Sequence, residues 1–219
     1  MKILIGTPLY NHQLDSRTVT TMLDILKEAQ ARNTSLDWDR PSSCLLSYNR
    51  NVIAHNALKH EFDWLLFMDA DMQVFDHGSF PFEMIETAAK QNADIIGVPV
   101  RLKNQAEEKV WNFCFLVEQG YMNWKGNLPI DPMEVDVIGT GIMLIKTSIF
   151  KDIPPPWFQQ TDTYHKEDFV VNHGDIKYPA GPGFFPEDFN FCEKAKRAGK
   201  KILMYPGVKA IHHGSYPYQ

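Results

Sequence analysis

The chain has little cysteine. Cys44, Cys114 and Cys192 are three among 219 residues, far apart, and none forms a CxxC pair. An odd, scattered set excludes a secreted disulfide framework and a cysteine-rich zinc site. HExxH and Walker A sequences are also missing, which removes the common zinc-peptidase and P-loop readings. "GTGIML" lacks the third glycine of a dinucleotide fingerprint, and a strand-like run follows it where a helix is needed. No apolar run is long enough to span a bilayer. "MKILIGTPLYNH" is too short for a signal core with its cleavage site. The expectation is a soluble, cytoplasmic protein with no stable membrane insertion. Charge of one sign is also scarce. Lys and Arg number 22 against 27 Asp and Glu, a net −5, which gives no general basic field for polyanions. Internal repeats and low-complexity segments are absent.

What is present is an ordinary globular composition, 44% hydrophobic and 22% charged, enough for one core without staples. "KILIG" reads as a buried strand that stops at Gly-Thr-Pro. Val19, Met22, Leu23, Leu26 and Ala29 recur at helical spacing between residues 15 and 32, with Asp15 or Ser16 as cap. "SLDW" predicts a second strand. "SYNRNVIAHNALKH" predicts a helix capped by Ser47. "WLLFM" is apolar on both faces, as a parallel strand covered by helices must be. The amphipathic "FEMIETAAKQN" and the strand-like "ADIIGVPV" follow. This alternation predicts an α/β fold: a mixed, mostly parallel sheet flanked by helices, in a single domain spanning 1–219.

The second half has strand-like runs, "VWNFCFLVE", "VDVIG" and "GIMLIK", with no long helix between them, so a mixed or antiparallel addition is expected. The segment 151–185 is rich in Pro, Gly and aromatics, and no regular structure is predicted through most of it. "EDFNFCEKAKRAG" predicts a helix closed by Gly199, and "KILMYP" and "VKAIHH" predict the last strands.

"DWLLFMDADMQVF" poses the chemical question, because a buried strand ends in Asp69 and Asp71 on either side of Ala70. Alternate residues of an extended chain share a face, so the two carboxylates are expected to point together. Two such charges a few Å apart repel by roughly 4 kcal/mol at an effective dielectric near 20. A proton or a cation between them relieves this, and a hard divalent cation prefers such oxygen ligands. The bland reading is that both aspartates cap a turn or sit in water.

The order of motifs resembles the GT-A fold nucleotide-sugar glycosyltransferases, family-2-like. "ILIGTPLYN" is similar to their first strand and nucleotide loop, and "YNRNVIAHNAL" to their Arg-Asn helix. "LLFMDADM" resembles their DxD strand, and "VDVIGTGIMLIK" the segment beneath the donor sugar. "FFPEDFNFCEKAKRAGKKILMYPGVKAIHHG" resembles their late acidic motif, its helix and a final metal-binding histidine. The resemblance implies a nucleotide-binding half, 1–100, and a sugar and acceptor half, 101–219. It implies a metal-dependent transfer from a nucleoside-diphosphate sugar (UDP- or GDP-sugar) to an acceptor hydroxyl, inverting at the sugar carbon. Asp69, Asp71 and His212 would hold Mn2+ or Mg2+. Asp188 would be the base and Glu187 its neighbour, orienting the acceptor or a loop. Donor contacts would come from Thr7, Pro8, Tyr10, Asn11, Arg50, Ala70, Gly139 and Gly141. Adjacent residues on a strand face opposite sides, so only one of His212 and His213 is expected to reach the metal. Acidic residues at a helix start are also favoured by the macrodipole alone, which would keep Asp188 ionised.

From composition alone, Trp157 and Phe158 in "PPPWFQQTDTY" are expected to stack on the acceptor. That acceptor could be a glycan, a lipid-linked glycan, a protein or a modified nucleic-acid base. Nucleotide-sugar hydrolysis, nucleotidyl transfer and a non-catalytic nucleotide- or glycan-binding α/β module are the competing readings.

Overall fold

The computed structural model describes residues 1–75, 78–102, 109–117, 120–165, 169–171, 176–178 and 181–213. The first half runs β1 (Lys2–Gly6), α1 (Ser16–Ala31), β2 (Ser35–Asp39), α2 (Leu46–Lys59), β3 (Trp64–Met68), β4 (Met72–Val74), α3 (Phe80–Gln91) and β5 (Ile95–Gly97). Then come β6 (Val110–Val117), β7 (Gly120–Lys125), β8 (Met133–Glu134), β9 (Val137–Ile138) and β10 (Ile142–Lys146), followed by a 3-10 turn (Thr147–Lys151). The remainder is β11 (Thr161–His165), β12 (Phe169–Val171), β13 (Ile176–Tyr178), β14 (Gly181–Phe185), α4 (Glu187–Arg197), β15 (Ile202–Met204) and β16 (Ala210–His212).

Seven strands form the central sheet in the order β2-β1-β3-β10-β5-β15-β8. β1, β2 and β3 pair in parallel, as do β5 and β15, while β10 runs against both β3 and β5. Together with β8, which opposes β15, this leaves five of the seven strands pointing one way, in the mixed, mostly parallel arrangement expected. Alternation sorts the core into two layers. Leu4, Leu65, Phe67, Ile95, Met143 and Ile202 pack with Ile53 and Ala57 of α2 and Phe191 and Ala195 of α4. Ile3, Ile5, Leu66, Met68, Ile96 and Leu144 pack with Met22 and Ile25 of α1 and Phe80 and Met84 of α3. Every residue of "WLLFM" is buried because helices cover both faces. Leu65, Leu66 and Phe67 each contribute roughly 1.5–3 kcal/mol by that burial.

Local signals set the start of α1 and the end of α4. Asp15 caps α1 by accepting the Arg17 N–H at 2.8 Å, and its hydrogen bonds to the Arg17 side chain and backbone pull its pKa down to about 2. Gly199 follows α4 at φ +74, a conformation that favours glycine. α2 differs from expectation. It begins at Leu46 without a side-chain cap, so Ser47 lies inside the helix, and Ser43 Oγ takes the Leu45 N–H instead. The segment 151–185 also carries more order than predicted. β11 pairs with β14 and β12 with β13, both antiparallel, as two nested ladders. Its Pro and Gly content hid two antiparallel ladders that no helical or strict period-2 pattern marks. No described helix is long and apolar enough to cross a membrane.

Candidate active site

The carboxylate pair does not continue β3 as an extended strand. β3 ends at Met68, and the Met72 N–H reaches the Asp69 carbonyl at 3.3 Å, closing a turn that leads into β4. Face alternation therefore does not apply, and the two side chains reach different partners. Arg50 donates to Asp69 Oδ1 at 3.0 Å, whereas His212 Nε2 lies 2.9 Å from Asp71 Oδ1. The repulsion expected of two bare charges is met by two separate side chains. The turn itself is pinned from α1. The buried Thr18 hydroxyl lies 2.9 Å from the Ala70 carbonyl and 2.8 Å from that of Met72, and the Asp15 N–H adds a bond to Ala70 at 2.9 Å.

Arg50 joins distant parts of the chain. It sits on α2 with only 2% of its side chain exposed, and its second terminal nitrogen pairs with Glu187 at the start of α4. Burial opposes its charge, but Asp69, Glu187 and Asp188 more than offset this and hold the guanidinium above its ordinary pKa. Next to it, burial pushes the Asp188 carboxyl up to about 6. Glu187 and Asp69 push the same way, against Arg50 and against the Phe189 N–H that donates to Asp188 Oδ1 at 2.8 Å. The helix start was expected to keep Asp188 fully ionised. Desolvation and the neighbouring carboxylate outweigh the macrodipole here.

β10 brings the glycines to this place. Its pairing sets Ile142 opposite Met68, and the Asp69 N–H donates to the Gly141 carbonyl at 2.9 Å. A methyl at Gly139 would meet Asn112 Nδ2 at 2.9 Å. One at Gly141 would lie 3.9 Å from Asp69 Oδ2. A cleft of about 250 Å3 opens here, lined by Arg50, Asp69, Gly139, Gly141, Glu187, Asp188 and His212, with Leu46, Val100 and Asn112 among its other walls. The structure thus brings Arg50, Asp69, Gly139, Gly141, Glu187, Asp188 and His212 together around one cleft.

The two adjacent histidines diverge as a strand requires. His213 turns away from Asp71 to Gln73, 2.8 Å from its Nε2, and to Arg17, 2.8 Å from its Nδ1. Gly214, which follows them in the motif, lies outside the described residues.

Other expectations need correction. Thr7 and Pro8 are buried, and the Thr7 hydroxyl accepts the Trp38 indole N–H at 2.9 Å. Tyr10 and Asn11, the other two donor-loop residues named, are exposed. Trp157 and Phe158 are not acceptor platforms, because both are core residues, 7% and 1% exposed. The Trp157 indole donates to the Phe150 and Ile153 carbonyls, and Phe158 stacks on Phe191 with centroids 4.5 Å apart. An aromatic run in a Pro-rich segment signals packing as readily as a sugar platform, and here it is packing.

Among the described residues no three His, Cys, Asp or Glu side chains converge as a ready-made metal cage. Asp71 and His212 are nevertheless joined as one oxygen and one nitrogen donor, with Asp69 on the same turn. That donor set suits Mn2+ or Mg2+ only if phosphate and water complete the shell.

No protein-family model and no curated protein sequence matches the chain. Among solved structures, the crystal structure of A197 from STIV superposes on 98% of this chain and 87% of its own, at 17% identity and TM-score 0.61. The shared fold is a mixed, mostly parallel α/β sheet flanked by helices. Weaker likenesses are to S. aureus TarS 1–349 (TM-score 0.47, 14% identity, 97% of this chain, 60% of that one) and to a glycosyltransferase involved in the glycosylation of the major capsid of PBCV-1 (TM-score 0.40, 14% identity, 69% and 63%). In this sheet the cleft lies past the carboxyl end of β3, where open α/β sheets place their ligands.

Sequence reasoning missed Thr18, Leu46, Val100 and Asn112. Asn112 alone left a trace, as a polar residue inside the apolar run "VWNFCF". Thr18 sits among ordinary helix residues and carries no local mark.

Proposed function

We propose that the chain is a metal-dependent glycosyltransferase that moves a sugar from a nucleoside-diphosphate sugar to an acceptor hydroxyl, with inversion. One observation carries this reading. The buried Arg50 ties the Asp69 turn to Glu187, and Asp188 beside it lines the cleft with a pKa near 6. A carboxylate tuned to that range is mostly ionised at neutral pH and basic enough to take a hydroxyl proton as the sugar carbon is attacked. The bare backbone at Gly141 leaves room for the sugar next to it.

Asp69, Asp71 and His212 would hold Mn2+ or Mg2+. The cation, when bound, supplies positive charge against the departing diphosphate. Arg50, paired with Asp69 at 3.0 Å, orients that carboxylate toward the same side of the cleft. Glu187, held by Arg50, fixes the first turn of α4 and so the position of Asp188. Tyr10 and Asn11, exposed on the loop after β1, would border the nucleoside.

The test is a thermal-shift screen of UDP- and GDP-sugars with and without Mn2+, followed by release of free UDP or GDP on adding glycan acceptors. Stabilisation that needs both metal and nucleotide, with release that needs acceptor, is expected. No nucleotide-dependent shift under any condition overturns the reading. Release without acceptor makes the protein a hydrolase.

A further inference from the structure

Asn112 has one half of its amide committed and the other half open. Its Oδ1 accepts the Val100 N–H at 2.7 Å. Its own backbone is clamped on both sides, N–H to the Val100 carbonyl at 3.0 Å and carbonyl to the Gly139 N–H at 2.8 Å. These bonds fix which end of the amide is which. The Nδ2 then lies over Gly139, only 2.9 Å from where a Cβ would stand there. Among the described residues no protein acceptor meets that Nδ2, although Asn112 is half-buried and lines the cleft. Half-buried amide donors held this firmly ordinarily find a partner, and here the open space beside the donor is the cleft.

Resting on the glycosyltransferase reading, we infer that Asn112 Nδ2 donates a hydrogen bond to an oxygen of the donor sugar, a ring hydroxyl or an acyl carbonyl, and so is a substrate-binding residue of the sugar subsite. The floor beside it is Gly139 to Gly141, so the contact falls on the sugar and not on the diphosphate. The glycine at 139 has a physical reason in this arrangement: any larger residue would displace the amide from that position.

The test compares nucleotide with nucleotide sugar. Affinities for UDP and UDP-glucose, and for GDP and GDP-mannose, are measured with Mn2+ for the wild type, Asn112→Ala and Asn112→Asp. Asn112→Asp keeps the acceptor for Val100 and replaces the donor with a carboxylate oxygen, whose added charge faces the diphosphate of both ligands alike, so it covers the case in which Asn112→Ala fails to fold. One neutral hydrogen bond corresponds to roughly a 2- to 12-fold change. The wild type is expected to bind the sugar conjugate of one pair more tightly than the bare nucleotide by about that factor, and both variants to lose that preference. Because both ligands carry the diphosphate, the ratio isolates the sugar. A purely structural role would weaken both ligands alike and leave the ratio unchanged, which overturns the inference. So does a wild type that binds nucleotides with no sugar preference, while binding of neither nucleotide overturns the glycosyltransferase reading itself.

Discussion

Replacing Asp188 by asparagine should make the protein inactive and more stable at once. The carboxyl is carried from an ordinary 3.8 to about 6, chiefly by burial. A raised folded-state pKa means that ionisation opposes folding. Below about pH 4 both states hold the proton, and asparagine and the neutral acid are near equivalent. Between about pH 4 and 6 the unfolded chain ionises and the folded one does not, so wild-type stability falls as pH rises. Above about pH 6 the deficit is complete, at about 3 kcal/mol by 1.36 kcal/mol per pH unit. Asparagine can still accept the Phe189 N–H that Asp188 Oδ1 now takes, so that hydrogen bond is kept. For a chain of this size the gain corresponds to a Tm higher by roughly 6–12 °C. Urea melts of wild type and Asp188→Asn from pH 4 to 8 measure it. The two should coincide near pH 4 and separate through pH 6. A variant that is less stable at pH 8, or a gap independent of pH, would refute the burial argument. Transfer by the wild type should rise through about pH 6 and level off above it, and should be absent in the variant.

Arg50→Lys should be strongly destabilised, by about 3–5 kcal/mol in chemical denaturation, because one ammonium cannot fork to Asp69 and Glu187 together and leaves a buried carboxylate unpaired. Gly141→Ala should fold with a near wild-type melt, since its methyl meets nothing closer than 3.6 Å. It should nonetheless lose on the order of tenfold or more in sugar-nucleotide affinity by titration calorimetry, because the methyl occupies the floor of the cleft. Thr18→Val should loosen the Asp69 turn and cost about 1–3 kcal/mol by removing the hydroxyl donor set between the Ala70 and Met72 carbonyls. It should also raise the Mn2+ concentration needed for activity, whereas Thr18→Ser should restore both; an unchanged metal requirement would remove the latch role.

Several particulars were readable from neighbours in the chain. The Asp15 cap, the doubly apolar β3 and Gly199 after α4 each depend on residues a few positions away. The divergence of His212 and His213 is likewise a property of any strand. Ser47 misled because a serine before an apolar helix resembles a cap whether or not its hydroxyl reaches the first turn. Trp157 and Phe158 misled because composition says that aromatics cluster, not which side of them faces water. The turn at Asp69 to Asp71 defeated the alternation argument because its conformation is imposed from α1, through Thr18 and Asp15, more than 50 residues upstream.

By itself the sequence determined the periodicities, and with them the four helices, the main strands of the central sheet and the two apolar layers that close over it, though not the ladders of 161–185. It also gave the acidic, glycine and histidine stations in order. Tertiary structure alone decided that a guanidinium at residue 50 would stand between carboxylates at 69 and 187, and that the carboxyl at 188 would lose enough water to titrate near 6. The physical reason is range. Propensity and periodicity act over a few residues, while desolvation and charge pairing depend on what the folded chain brings within a few Å, however far apart in sequence.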